Sequence, residues 1–347
     1  MKRAGIHKIA ELSGVSIGTV DRALHGRPGI SAATRRRILR VARELAYTPH
    51  PVARALSTGR ANLRVGVCIP EEIHFFYDQM RAGIFDEAAR ARSLGLELVY
   101  RPAPSLGRQE TQSIRELLAG DVRAMILTPG NPSVTAPLID QAEEAGVRVV
   151  CITTDAPHSH RSSVVSVDPS LSGKLAAELM GKFLPEGSQA AIVTGMLSTE
   201  EHRAKAEGFR DAFEQAGGKV VALLEAHESE EESYRKTYGL LRQQPDLCGI
   251  YVSTVNCLPV CRALREHKLG GKIRLITTDL FREMIPHLER GTIAASIYQD
   301  PYLQGQTSVR ILVDHLVNGS AIPSTCYLNP GIVLRSNLGL FREAAKN

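Results

Sequence analysis

The sequence predicts an α/β protein with a three-helix N-terminal domain, a short hinge helix, and two doubly wound lobes built on parallel sheets. Two observations carry this prediction: helical periodicity with turn signals over the first sixty residues, and repeated strand–helix alternation from Leu63 onward. The chain has 347 residues, 43% of them hydrophobic, which is enough for two or three domains with sizeable cores. It contains no apolar run of membrane-spanning length and no secretory signal, so we expect a cytoplasmic protein.

The first sixty residues are predicted to form three short helices. The first helix ends at Ser13-Gly14, because glycine readily adopts the left-handed backbone of a tight turn. Ser16 is placed to cap the second helix, which completes a helix-turn-helix over residues 6–24. Ser31 is placed to cap a third helix that runs to about Leu45.

The formal charge is divided unevenly along the chain. Residues 1–60 contain twelve Lys or Arg against three Asp or Glu, a balance of +9. The whole chain carries +5, so the remaining residues carry −4. A basic N-terminal segment on a mildly acidic body indicates a nucleic-acid-binding module joined to a second function. Charge alone leaves open that these basic helices serve only solubility.

Several motifs in this segment, taken in order, resemble the headpiece of the lactose-repressor (LacI/GalR) family. They are Ile9 to Leu24, Ile30 to Arg35, Tyr47 to Pro49 and Ala53 to Leu56. An isolated helix-turn-helix motif has a plain helical hairpin as its alternative, but here spaced motifs agree over sixty residues. The resemblance implies that the second helix enters the DNA major groove N-terminus first.

The resemblance also implies roles for individual headpiece residues. Ile17, Gly18 and Arg22 face base edges, with Arg22 suited to a bidentate pair with guanine and Ile17 to a thymine methyl. Gly18 permits close approach of the backbone. Small hydroxyl residues are suited to phosphate contacts, namely Ser16, Thr19, Ser31 and Thr34. Asp21 departs from the family pattern, which commonly has Ser or Asn at that position. Because a carboxylate near phosphates is repulsive, we leave Asp21 out of the DNA-binding set.

Residues 49–61 resemble the hinge helix of the same family. This segment is too short to be a stable helix alone. The resemblance implies that two copies pair in the minor groove of bound DNA, where Ala53 packs and Leu56 wedges into a central base step. A flexible linker with an incidental leucine is the alternative. His50 departs from the family's usual Asn at that position.

The remaining chain alternates between predicted strands and helices. One set runs from Leu63 to Ile152 and a second from about Ser170 to Tyr298, with a final strand near Thr325 to Leu334. A Rossmann-type enzyme is the obvious competitor, but no dinucleotide, P-loop or nucleophile-elbow motif is present. The element order instead resembles type I periplasmic sugar-binding proteins of the ribose and allose type.

We therefore expect a headpiece over residues 1–48, a hinge over 49–61, and an effector-binding and dimerisation core over 62–347. Within the core the expected lobes take their residues from separate parts of the chain. The first comprises about 62–165 plus 296–322, and the second about 166–295 plus 323–340.

Ligands in such sheets bind beyond the carboxyl ends of the strands. The resemblance places an aromatic group and a set of polar side chains there, suited to the ring face and hydroxyls of a sugar or polyol. The predicted effector-binding residues are Phe75, Phe76, Tyr77, Asn131, Asp155, Arg203, Asn256, Asp279 and Gln299. Singly, each aspartate has a helix N-cap as its alternative role, and a glycosidase pair of Asp155 and Asp279 is disfavoured because the fold resemblance accounts for both.

No cofactor, metal site or enzymatic activity is expected. The six cysteines form no C-x-x-C pair and no histidine lies at ligand spacing, so they are expected to be free thiols. Near-palindromic operator DNA, a sugar or polyol effector and a second copy of the chain are the expected partners. The last residues hold no heptad repeat, so we expect a dimer rather than a tetramer.

The resemblance implies a sugar-responsive repressor of uptake or catabolic genes. Two alternatives stay open. One is a regulator of the same fold in which the ligand promotes DNA binding or activation. The other is a sugar-binding or sugar-acting protein whose headpiece is incidental.

Overall fold

The computed structural model describes residues 6–24, 28–45 and 63–341, and the chain divides into two compact units at Ala61/Asn62. The predicted hinge residues Ala53 and Leu56 lie outside the described residues. Within the described part of the chain, no helix is long and apolar enough to cross a membrane.

The N-terminal unit contains three helices packed around a small apolar core. They are α1 (Ile6–Ser13), α2 (Ile17–Leu24) and α3 (Ala32–Glu44). Ile9, Val20 and Ile38, one from each helix, are fully buried at its centre. Gly14 has φ of 60° in the turn between α1 and α2, and the Ser31 hydroxyl caps α3, which confirms the predicted helix-turn-helix.

The first lobe of the larger unit is a six-stranded sheet of order β2-β1-β3-β4-β5-β11, parallel throughout. Its strands are β1 (Leu63–Cys68), β2 (Leu96–Tyr100), β3 (Ala124–Leu127), β4 (Arg148–Ile152), β5 (Ser163–Val167) and β11 (Cys326–Leu328). Three helices connect the first four strands: α4 (His74–Arg90), α5 (Glu110–Ala119) and α6 (Pro132–Glu144). Residues Arg92–Leu94 form a short 3-10 helix.

The second lobe repeats this arrangement with the strand order β7-β6-β8-β9-β10-β12, in which only β12 is antiparallel. Its strands are β6 (Gln189–Thr194), β7 (Lys219–Glu225), β8 (Leu247–Val252), β9 (Arg274–Thr278), β10 (Ile293–Tyr298) and β12 (Gly331–Val333). The helices of this part of the chain are α7 (Pro169–Phe183), α8 (Glu200–Gln215), α9 (Glu230–Gln243), α10 (Cys257–Glu266), α11 (Ile285–Glu289) and α12 (Pro301–Asn318). Two further 3-10 helices span Arg282–Met284 and Leu338–Phe341. The two doubly wound parallel lobes confirm the predicted fold class.

The chain passes between the lobes three times, after β5, after β10 and after β11. The structure corrects the lobe boundaries expected from the sequence. Strand β10 lies wholly in the second sheet, whereas residues 296–322 were expected in the first lobe. The expected single strand near Thr325 to Leu334 is divided between both sheets, because Pro330 lacks the N–H that a continuous ladder needs. Strand β5 was not predicted, since its serines interrupt the apolar run.

A pair of helices in each lobe crosses closely at glycines. In the second lobe α7 lies on α8, and a Cβ added at Gly173 would lie 2.2 Å from the carbonyl oxygen of Lys205. Gly208 faces Ser170 in the same way. In the first lobe Gly83 and Gly305 bring α4 and α12 together. These contacts fix the position of α8, whose first turns carry the side chains described below.

Glycine-to-alanine substitutions at two positions of α7 are expected to change stability in opposite directions, because only one of the two positions is crowded. Gly173→Ala should lower the free energy of unfolding by about 1–3 kcal/mol, because backbone of the neighbouring helix blocks the new methyl group. Gly181→Ala in the same helix should raise it by about 0.5–1 kcal/mol, since nothing lies within 4 Å of its added Cβ. Urea denaturation of both variants measures the difference, and equal effects would contradict the close crossing.

Candidate functional site

Helix α2 of the headpiece has one solvent-exposed face. Ile17 is 43% exposed, and Gly18 and Arg22 are also exposed, while Val20 and Ala23 face the core. An apolar residue, a glycine and an arginine on one solvent-facing helix are able to approach the base edges of a DNA groove.

Two hydroxyl pairs mark the N-termini of the headpiece helices. The Ser16 and Thr19 hydroxyls lie 2.9 Å apart, and the Ser31 and Thr34 hydroxyls lie 2.8 Å apart. The N–H of Thr19 donates to the Ser16 hydroxyl, and the N–H of Thr34 donates to that of Ser31. Such helix N-termini favour anions, because their free N–H groups and dipole face outward.

A cavity lies between the two lobes at the carboxyl ends of their strands. The empty space between its walls, including the part that is open to solvent, is about 330 Å3. Thirteen residues line it, five from the first lobe and eight from the second. They are Ile73, Phe76, Tyr77, Leu106, Thr153, Glu201, His202, Lys205, Glu228, Ser253, Thr254, Val255 and Asp279. Ligands of α/β sheets bind at this edge, so we take the cavity as the candidate ligand site.

The buried cation of the cavity is Lys205, not the predicted Arg203. Lys205 has a side-chain exposure of 1% and forms an ion pair with Glu201, which lies one turn earlier on α8. Arg203 is 45% exposed and pairs with Glu200 on the outer face of the helix. The sequence prediction for Arg203 is therefore corrected: it belongs to the solvent-facing side of α8.

His202 is held as a neutral donor in the cavity wall. The N–H of Met196 donates to its Nδ1 at 3.0 Å, so the ring proton is on Nε2. That atom lies 3.3 Å from Glu201 Oε2 and 3.4 Å from Glu228 Oε1. Burial lowers the pKa of His202, which keeps the ring uncharged.

Gly195, directly after β6, makes room for this group. A Cβ there would lie 2.0 Å from Glu228 Oε1 and 2.5 Å from the His202 ring. Any side chain at position 195 would therefore displace both Glu228 and His202 from the cavity wall.

Asp279 lies in the second-lobe wall, and two further predicted effector residues, Asn256 and Gln299, contact carboxyl groups of that wall. Asp279 lines the cavity, and both of its carboxylate oxygens accept from Gln299 Nε2, at 3.1 and 3.2 Å. Asn256 Nδ2 donates to Glu228 Oε2 at 3.0 Å. Burial raises the pKa of Asp279 to about 7 and, with repulsion from Glu201, that of Glu228 to about 8. The two amides thus orient carboxyl groups that burial makes reluctant to ionise.

Two of the three predicted aromatic residues line the cavity, and the third does not. Phe76 and Tyr77 line the cavity, with their rings edge to face at 5.1 Å. Phe75 instead stacks on Phe281 of the second lobe, with ring centroids 4.0 Å apart, so it packs between the lobes.

Asp155 and Asn131 do not line the cavity, which corrects their predicted role. Asp155 forms a two-pronged ion pair with Arg161, with one oxygen 2.6 Å from Nη2. Asn131 caps α6, where its Oδ1 accepts from the N–H of Ser133 at 3.2 Å. Both side chains serve local structure of the first lobe.

The backbone of the cavity is strained at four non-glycine residues. Ile73, Thr153, Glu228 and Asp279 have φ values of 56°, 70°, 56° and 67°. Each left-handed residue of this kind costs on the order of 1–3 kcal/mol, and such residues concentrate at functional sites. The surrounding fold therefore holds these side chains in place at an energetic cost.

Several lining residues were not predicted from the sequence. Thr153 and Ser253 to Val255 follow strands directly, so the strand-end rule could have found them. Glu201 and Lys205 share a helix face with Phe209, a spacing that was visible. Glu228 had no such signal, since it stands in a loop beside an acidic helix start. Among the described residues, no cluster of three or more His, Cys, Asp or Glu could hold a metal ion.

Each of the two units matches the model of a known protein family. Residues 65–320 match the model described as periplasmic binding protein domain, and residues 5–50 match that of bacterial regulatory proteins, lacI family. The catabolite control protein A of Priestia megaterium is 24% identical over 90% of this chain and 92% of that protein. The HTH-type transcriptional regulator DegA of Bacillus subtilis is 29% identical over 77% of each.

A solved structure is also similar to the larger unit. It is GanP, a glucose-galactose binding protein from Geobacillus stearothermophilus, with a TM-score of 0.73 and 28% identity. The similarity covers 80% of this chain and 99% of that protein.

Proposed function

Because the chain belongs to the periplasmic binding protein domain family and carries a lacI-family domain at its N-terminus, we propose that it is a sugar-responsive, DNA-binding transcriptional regulator. The single observation that carries this proposal is the presence of both modules in one chain. A regulator that is similar over 90% of the chain supports it. The sugar-binding relative supports a sugar or polyol as the effector class.

The proposed mechanism uses the position of the cavity between two lobes. Contacts across the cleft join them: the Thr199 hydroxyl donates to the carbonyl oxygen of Gly130 at 2.6 Å, and the Tyr298 hydroxyl to Gln79 Oε1 at 3.4 Å. A ligand that contacts both walls favours the closed arrangement over the open one. It shifts DNA affinity to the extent that the two arrangements differ in their affinity for DNA. Such couplings typically amount to about 1–3 kcal/mol.

The finer assignments follow from this function. We propose a cytoplasmic homodimer that represses uptake or catabolic genes from a near-palindromic operator. Base and phosphate contacts are assigned to the exposed headpiece residues, and the operator bend to the hinge. The proposed set is Ser16, Ile17, Gly18, Thr19, Arg22, Ser31, Thr34, Ala53 and Leu56. We also propose the domain boundaries expected from the sequence: the headpiece ends at residue 48, the hinge ends at residue 61, and the core follows.

Mobility shift of DNA from the chain's own gene neighbourhood, with and without a panel of sugars and polyols, tests the proposal. We expect retardation of a specific fragment that a cavity ligand relieves. Retardation that a ligand strengthens would reverse the sign of regulation. No retardation of any fragment at low salt, even at micromolar protein, would contradict DNA regulation.

A further inference from the structure

The carboxyl groups in the cavity lining outnumber its cations. Three buried carboxyl groups line it, those of Glu201, Glu228 and Asp279, against one cation, Lys205. Glu201 and Lys205 neutralise one another through their ion pair. His202 adds no charge, because the N–H of Met196 occupies Nδ1 and burial disfavours protonation. Two carboxyl groups therefore remain without a cationic partner in the cavity lining.

Glu228 is the less satisfied of the two. Gln299 donates to both oxygens of Asp279. In Glu228 only Oε2 accepts a hydrogen bond, from Asn256. Its Oε1 is buried without a hydrogen-bond partner among the described residues, and His202 Nε2 lies 3.4 Å from it. A buried carboxylate oxygen left in this state is costly, so it marks a place where a donor is missing.

The surroundings of Glu228 suit a cationic donor better than a neutral one. The Glu228 side chain is only 7% exposed, so water screens its charge weakly. Phe76 and Tyr77 place aromatic rings in the lining of the same cavity, and aromatic rings attract cations through their faces. A hydroxyl group would satisfy the hydrogen bond alone, whereas an ammonium group would satisfy it and also stabilise the ionised form of Glu228. Two uncompensated carboxyl groups disfavour a phosphorylated ligand.

We propose that the effector is an aminated sugar or aminated polyol, and that Glu228 is the group that binds its ammonium nitrogen. This inference rests on the proposed function, because it names the ligand class of the same cavity. The pKa of Glu228, raised to about 8 by burial and by Glu201, agrees with a carboxyl group that awaits a cation. The left-handed backbone at Glu228 holds it in this position before the ligand arrives.

Calorimetric titration of the full chain with matched pairs tests the proposal. The pairs are glucose and glucosamine, galactose and galactosamine, mannose and mannosamine, and scyllo-inositol and scyllo-inosamine. We expect one amine to bind about tenfold or more tighter than its hydroxyl counterpart. Glu228→Gln should abolish that preference, and Glu228→Asp, which keeps the charge, should retain part of it. Glu207→Gln, on the exposed face of α8, is the matched control and should leave the preference unchanged.

Each outcome bears on the inference. Tighter binding of the neutral member in every pair, no binding of any amine, or an amine preference that survives Glu228→Gln would overturn it. Circular dichroism and DNA retardation establish that each variant is folded. If only neutral sugars bind and alter DNA affinity, the proposed amine ligand is wrong and the proposed regulator stands, whereas absence of DNA binding would contradict the proposed function itself.

Discussion

Replacing Lys205 by methionine will lower the free energy of unfolding of the core by about 3–5 kcal/mol, because Glu201 is left as a buried carboxylate without its cation. Methionine has a similar length, so the change removes the charge more than the packing. The same substitution at Arg203, two residues away, should alter stability by no more than about 0.5 kcal/mol, because that ion pair is exposed. Urea denaturation monitored by circular dichroism measures both.

A double substitution gives the control for this prediction. Glu201→Gln with Lys205→Met removes both partners of the buried pair and should recover most of the lost stability, to within about 1–2 kcal/mol of the unmodified chain. If Lys205→Met and Arg203→Met lowered the free energy of unfolding by equally small amounts, Lys205 would not be the buried cation of the cavity. The assignment of charges in the cavity would then be wrong.

Arg22→Ala should weaken binding to a preferred DNA sequence by about 1–3 kcal/mol, and non-specific binding only by the smaller factor that the loss of one charge brings. Arg22 lies on the exposed face of α2. Its guanidinium group is suited to a guanine edge. The preferred sequence is obtained by in vitro selection with the unmodified chain. Arg43→Ala, at the end of α3, removes the same charge and is the matched control.

Fluorescence anisotropy with selected and scrambled duplexes distinguishes these variants. Arg43→Ala should reduce both affinities by a similar, smaller factor, because a loss of net charge acts without regard to sequence. An unchanged ratio of specific to non-specific affinity in Arg22→Ala would show that Arg22 does not contact a base edge.

The fold could be predicted almost entirely, because hydrophobic periodicity and turn residues act locally. Ser31 caps its helix and Gly14 turns the chain as their types require. The exceptions depend on long-range pairing. Strand β11 joins the first sheet only because β5 offers a free edge, and neither short segment has an apolar pattern that identifies its partner.

The candidate site was predicted less completely. Asp279 and Phe76 were found from their positions after strands. Asp155 follows a strand equally well, yet Arg161 binds it, and no strand-end rule reveals that competitor. Arg203 was predicted because the helix that it opens resembles the family's Arg-containing motif. The helix period decides otherwise, since Lys205 is one turn from Phe209 on the buried face.

The three passages between the lobes have a consequence for biosynthesis. Helix α12, which covers α4 in the first lobe, and β11, which completes the first sheet, are both translated after most of the second lobe. An emerging chain therefore exposes apolar surface of its first lobe until β11 has left the ribosome. Folding of the core depends on contacts between distant parts of the chain, which are slow to form. A product truncated within the second lobe would retain a complete set of headpiece helices with no finished sensor, and would be a substrate for chaperones and proteases.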